Sequence, residues 1–210
     1  MKKLPLLLFA ALAALVAPAS AAKPAGGLKA GLNISTFVGS DADYGDSKIS
    51  RSGLVAGGYL DFPVQGLPFL VQAELLISQK GALYKWDLLG QIYEQRVRLT
   101  YLELPVLARF NFETRNGPKT ALLIGPSFAF KLSARGEDRT VTSSSSGNLD
   151  NIRGFDPGVV AGGLVEMETS RGAIFLEGRY TRGLSTIDDS SGSRADIKNS
   201  VASVLLGYRF

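Results

Sequence analysis

Acidic and basic side chains recur at alternate positions of otherwise apolar stretches: Asp61, Glu74, Glu103, Arg109, Asp156, Glu166, Glu168, Glu177, Arg179 and Arg209. Two chemistries suit charges spaced this way. They could neutralise one another in a place that excludes water, or they could line a narrow ion path. Glu74, Glu103, Arg109, Glu166, Glu177, Arg179 and Arg209 form the candidate charge network, with Glu103/Arg109 and Glu177/Arg179 as the expected pairs. Catalysis has less to work with. The chain has no His and no Cys, which removes imidazole bases, imidazole and thiolate metal sites, and disulfides. Gly125-Pro126-Ser127-Phe128-Ala129 faintly resembles a nucleophile elbow, but it falls mid-strand with no base beside it. Asp41, Asp43 and Asp46, and the pair Asp188-Asp189, are of a type that binds hard cations; a solvated acidic loop is the better account of them. No catalytic residue, cofactor or metal is expected.

The elements that carry these charges alternate with a period of two, as strands do. From Leu28 to Gly39, Leu28, Ala30, Leu32, Ile34 and Val38 share one face while Lys29, Gly31, Asn33 and Ser35 share the other. The same pattern runs over about 53–62, 69–80, 97–112, 119–132, 155–169, 172–182 and the stretch ending at Phe210. Pro63 to Pro68, a turn around Asn116-Gly117, and Ser170-Arg171 are short connections. Ser40 to Arg51, Gly81 to Arg96, Ser133 to Gly154 and Gly183 to Lys198 read as long ones, the third with four consecutive Ser residues (Ser143 to Ser146). Connections alternating long and short are a mark of outer-membrane barrels. The expected fold is all-β, an eight-stranded antiparallel up-and-down transmembrane barrel over 28–210. No later segment reaches the roughly 20 continuous apolar residues of a spanning helix.

Which face lies inside follows from cost. A Lys or Arg facing lipid at mid-depth is unfavourable by roughly 2 to 4 kcal/mol, so the charged face belongs in the lumen. Eight strands enclose an interior just wide enough for side chains to fill. If Ser170-Arg171 is a turn, Arg179 stands opposite Gly162, which leaves room for its side chain. The outward face sets Phe62, Phe69, Phe110, Phe112, Tyr208 and Phe210 near one rim, and Phe128, Phe130, Phe155 and Tyr180 near the other. Two aromatic belts are what a bilayer interface selects.

The first 21 residues have the parts of a secretory leader: Lys2-Lys3, an apolar run from Leu4 to Val16, and a small-x-small cleavage site at Ala19 and Ala21. Residues 22–27 form a short segment before the barrel. Without Lys2 and Lys3 the formal net charge of +4 falls to +2, too balanced to indicate nucleic acid.

Tyr101-Leu102-Glu103-Leu104-Pro105-Val106-Leu107, Gly125-Pro126, Leu176-Glu177-Gly178-Arg179-Tyr180-Thr181-Arg182-Gly183-Leu184 and Leu206-Gly207-Tyr208-Arg209-Phe210 resemble the PorT-type outer-membrane β-barrel family across essentially the whole mature chain. The resemblance implies an eight-stranded barrel in a Gram-negative outer membrane, with no catalytic residues. One branch of that family takes part in protein secretion. It also implies that Tyr208 and Phe210 belong to the signal read by the barrel-assembly machinery. The expected partners are outer-membrane lipid, that machinery, and a secretion-system or surface partner. The leading expectation is a non-enzymatic barrel acting through its structure or its loops. Alternatives are a narrow ion or small-solute pore, a secretion accessory, and a soluble lipocalin-like carrier with the faces reversed.

Overall fold

The structure, a computed structural model, describes residues 25–42, 47–88, 91–112, 117–139, 144–190 and 195–210. The leader with Ala19 and Ala21, the loop positions Asp43 and Asp46, and Asn116 of the expected turn lie outside the described residues.

Among the described residues nine strands are present: β1 (Ala25–Val38), β2 (Ser47–Pro63), β3 (Leu70–Leu88), β4 (Gln91–Phe112), β5 (Lys119–Arg139), β6 (Ser144–Asn148), β7 (Phe155–Thr169), β8 (Gly172–Gly183) and β9 (Lys198–Arg209). Eight of them close on themselves. The order runs β4-β3-β2-β1-β9-β8-β7-β5, all neighbours are antiparallel, and β4 pairs with β5 to complete the ring. Closure leaves no free edge along the wall, the condition for a sheet to cross a membrane. The final strand pairs with the first from Gly27↔Arg209 to Val38↔Lys198. Phe210 continues that contact by donating its backbone N–H to the Gly26 carbonyl at 2.9 Å.

The alternation expresses itself as an inside-out protein. Leu28, Leu32, Ile34, Leu54, Ile77, Leu122, Leu176 and Leu206 are exposed on the outer wall, while Lys29, Asn33, Glu74, Glu103 and Glu177 are buried inside. A soluble protein does not leave a continuous apolar surface of this kind to water, and a lipocalin-like arrangement would need the reverse. The aromatics gather at two rims. Phe69 packs at a tilt on Phe110 and Tyr208 meets Phe210 edge to face at the end with the short turns, and Phe155 lies against both Phe128 and Phe130 at the other.

Several boundaries differ from the sequence expectation. Gly81 to Arg96 is not a long connection: β3 and β4 stay paired through Leu88↔Gln91. The alternation continues there, with Ala82 and Tyr84 buried inward, although Lys85 and Asp87 give the stretch the polarity of a loop. β2 begins at Ser47, inside the expected loop. β5 likewise runs on to Arg139, where the serine-rich segment folds back as β6. Pairing beyond the hydrocarbon core needs no apolar side facing acyl chains, which is why hydrophobic alternation does not reveal it. Phe62, expected outward, and Leu104, which alternation puts on the same face of β4 as Leu102, are only 5% and 4% exposed. Leu104 stands opposite Phe128 on β5, and Phe62 opposite Val71 on β3.

Candidate functional site: the charged lumen

The lumen is filled in layers, and successive inward positions of each strand contribute to successive layers. Nearest the short-turn end, Arg109 bridges Asp61 and Glu166, each at 2.9 Å, and Arg209 reaches Glu166 at 2.7 Å. β2, β4, β7 and β9 each send one member, so the cluster ties together strands distant in sequence. The Arg109 Nε donates to Asn111 at 2.9 Å. Above it sits an apolar layer of Tyr59, Leu107, Ala121, Leu123, Val160, Leu164 and Phe175. The Tyr59 and Phe175 rings meet edge to face at 5.7 Å.

The central layer is ionic again. Lys29 donates to Glu74 at 2.7 Å and to Glu177 at 2.8 Å, and Arg179 reaches Glu74 at 2.7 Å and Glu177 at 3.4 Å. Two cations thus face two carboxylates in a closed square, and the side chains of Lys29, Glu74 and Glu177 are inaccessible to solvent. Gln72 adds a hydrogen bond to Glu74 at 2.6 Å. Arg179 fits because Gly162 stands opposite it on β7; a Cβ there would come within 2.6 Å of the Arg179 Cβ. The Lys29 ammonium also lies 5.5 Å from the Tyr59 ring centroid, a cation–π contact that joins this layer to the one below.

Further out, Val55, Leu76 and Leu205 close an apolar constriction. Past it, Asn33 hydrogen-bonds Ser78 and Ser203, and Lys80 pairs with Glu103 at 2.5 Å. Asn199 donates to Asp156 at 2.7 Å. The outer mouth is shut by Phe37, Tyr84, Leu99 and Tyr101, with Ala42 and Ile187 folded in from the loops. Backbone bonds pin those loops: Ile187 N–H to the Ile197 carbonyl at 2.8 Å, Arg153 N–H to the Ile187 carbonyl at 2.8 Å and Leu149 N–H to the Ala134 carbonyl at 3.0 Å. Lys131 Nζ also donates to the Ile152 carbonyl.

The candidate residues therefore fall into three clusters at three depths, not one network. Glu74, Glu177 and Arg179 meet centrally; Arg109, Glu166 and Arg209 meet at the short-turn end; Glu103 lies alone of the seven near the outer end. The pair Glu177/Arg179 is in contact. The pair Glu103/Arg109 is not: Glu103 takes Lys80, and Arg109 takes Asp61 and Glu166. The two residues are six positions apart on β4, which along an extended strand of about 3.4 Å per residue separates them by ~20 Å. Sequence reasoning passed over Lys29 and Lys80 as members. Both already stood on the inward face, and each balances carboxylates that otherwise outnumber the arginines at that depth. Among the described residues no group of His, Cys, Asp or Glu is placed to hold a metal. Asp41 accepts from the Ser40 hydroxyl and, from a loop 155 positions away, the Asp196 N–H, and Asp188 accepts from the Ser190 hydroxyl.

This arrangement can neutralise charge and exclude water. Apolar layers of Leu107, Leu123 and Phe175, and of Val55, Leu76 and Leu205, interrupt any line of charges.

Residues 24–189 match the family described as the outer membrane protein beta-barrel domain. No curated protein sequence matches the chain. Among solved structures, Ail, the attachment invasion locus protein of Yersinia pestis, is 10% identical, at 90% coverage of this chain and 100% of that one, with a TM-score of 0.42. Neisserial surface protein A is likewise 10% identical with the same coverages and a TM-score of 0.44.

Proposed function

The chain belongs to the outer membrane protein beta-barrel domain family, and from that premise we propose that it is a sealed, non-enzymatic membrane scaffold whose outer strand ends and loops make its contacts. The observation that carries the reading is the lumen: three ion-paired clusters alternate with apolar layers, and the central square of Lys29, Glu74, Glu177 and Arg179 is fully buried. Ion pairs locked against each other are poor relay stations for a moving ion, because each partner must be freed before it can bind the next. The leader with Ala19 and Ala21 is proposed to direct export through the inner membrane of a Gram-negative cell. Tyr208 and Phe210 are proposed to be read by the barrel-assembly machinery. The resemblance of Tyr101 to Leu107 and Leu176 to Leu184 to the PorT-type family supports placing it in such a membrane; a surface or secretion-system partner is proposed with it, and no residue singles out the secretion branch.

Planar-bilayer recording tests the sealed lumen. The purified protein should give no discrete conductance steps. Reproducible steps from the wild-type barrel, abolished by altering Arg109 or Arg179, would replace the scaffold reading with a pore.

A further inference from the structure

Strand pairing sorts the outer wall into rows, and their chemistry changes abruptly near the end with the long strand extensions. One row holds Ile77, Leu102, Phe130 and Phe155 on adjacent strands and is wholly apolar. The next holds Gln79, Thr100 and Ser133. The row beyond holds Gly81, Arg98 and Arg135. The missing side chain at Gly81 leaves a gap over β3, and Arg51 from β2 lies across it: a Cβ on Gly81 would stand 3.5 Å from the Arg51 Cδ. Arg51 is tethered there by an Nη1–H bond to the Lys80 carbonyl at 3.2 Å. Arg96, two residues beyond Arg98, completes the group, opposite Glu137.

These four arginines, with Glu137 and the Ser145–Ser146 edge of β6, line a pocket of about 260 Å³. Its charge is not balanced from within. Among the described residues of the lining Glu137 is the one carboxylate, and it is shared with Arg139 at 3.5 Å. Arg96 turns to Glu94 at 3.1 Å. Arg98 and Arg135 stand directly opposite each other and have no ion-pair partner among the described residues. Burial, then the charges of Arg98 and Arg96, lower the pKa of Arg51 below its ordinary value. Like charges held this close on a rigid sheet are unfavourable until an anion joins them.

We infer that the pocket of Arg51, Arg96, Arg98 and Arg135 binds the phosphate of a lipid headgroup in the membrane leaflet around it. The guanidinium fork matches phosphate oxygens bidentately, and serine hydroxyls from β6 supply further donors. Depth decides for a lipid over a free anion. On β5 the outward apolar surface runs on to the exposed Leu132, and Arg135, opposite Arg98, is three residues beyond it, which at about 3.4 Å per residue and a tilt of roughly 40° is ~8 Å above the apolar band. Headgroups occupy that zone, and the apolar wall of Leu102 and Phe130 continues beneath it for the acyl chains. The inference rests on the membrane-barrel reading above.

Native mass spectrometry of the detergent-purified barrel, with bis-phosphorylated lipid A as the probe, tests it. Retention should fall on the order of tenfold in an Arg98→Gln/Arg135→Gln variant, and likewise for wild-type protein offered dephosphorylated lipid A. Inorganic phosphate at millimolar concentration should not displace the lipid. Both substitutions face outward beyond the apolar band, so heat-modifiable gel migration should stay normal; loss of that migration in the wild type would instead overturn the barrel reading. Equal retention by variant and wild type, or of the two lipids, would overturn the inference. So would displacement by inorganic phosphate, which would make the site one for a free anion.

Discussion

Glu74 is the residue on which the lumen turns. It accepts from Lys29, Arg179 and Gln72 at once, so replacing it strands two buried cations with one carboxylate, Glu177, between them. Breaking a buried pair is typically unfavourable by about 3 to 5 kcal/mol, because the remaining charge is left uncompensated. Glu74→Ala should lower barrel stability by that order in urea unfolding followed by tryptophan fluorescence. Adding Lys29→Met should restore part of the loss, since the excess cation is removed along with its missing partner. No recovery in the double variant would mean that the square of charges does not act as a unit. Lys29 could have been found from sequence: its neighbours Leu28 and Ala30 point outward, so it had to point in. Which carboxylates it meets could not, because Glu74 and Glu177 come from β3 and β8, 45 and 148 positions away.

At the scale of the element, β9 is held from both sides. Tyr208 stands opposite Leu28 on β1 and Ile174 on β8, and Arg209 opposite Gly27 and Ala173. Deleting Tyr208 to Phe210 removes these rungs, the Phe210–Gly26 bond and the Arg209–Glu166 pair together. The truncated protein should fail to appear in the outer membrane by fractionation. Gly207→Leu separates closure from recognition of the end. It keeps Tyr208 and Phe210 but drives a side chain into the Phe175 ring, which already lies against the Gly207 position. Near-normal insertion with reduced heat resistance would point to the end as the recognised feature and Gly207 as a packing contact. Normal insertion of the truncation would refute the role of β9's end. The strand itself was legible, since Val204, Leu206 and Tyr208 alternate with Ser203, Leu205 and Gly207. The outward ends of β3, β4 and β5 were not. Beyond the hydrocarbon core no acyl chain selects an apolar face, and Lys85, Asp87 and Arg96 read as loop although their backbones remain paired.

At the scale of the molecule, one end carries the short turns and the other the strand extensions, the arginine pocket and the folded-in loops. The chain contains no native Cys, so single cysteines report on either end cleanly. Asp150→Cys, exposed at the extended end, should react with a membrane-impermeant maleimide on intact cells. Leu67→Cys, 49% exposed in the short turn after β2, should react only after the outer membrane is permeabilised. The opposite pattern would invert the barrel and place the arginine pocket toward the periplasm.

The period of two, the short turns and the charged inward face were determined by the sequence alone, because a lipid outside and a narrow lumen inside impose opposite demands on alternate residues. Tertiary structure decided the rest. Closure of β4 on β5 and of β9 on β1 fixes the depth at which each inward charge arrives. That depth selects Lys80 rather than Arg109 for Glu103, and it lines Arg51, Arg98 and Arg135 up along one rim. Sequence distance carries no information about depth until the register of all eight strands is set.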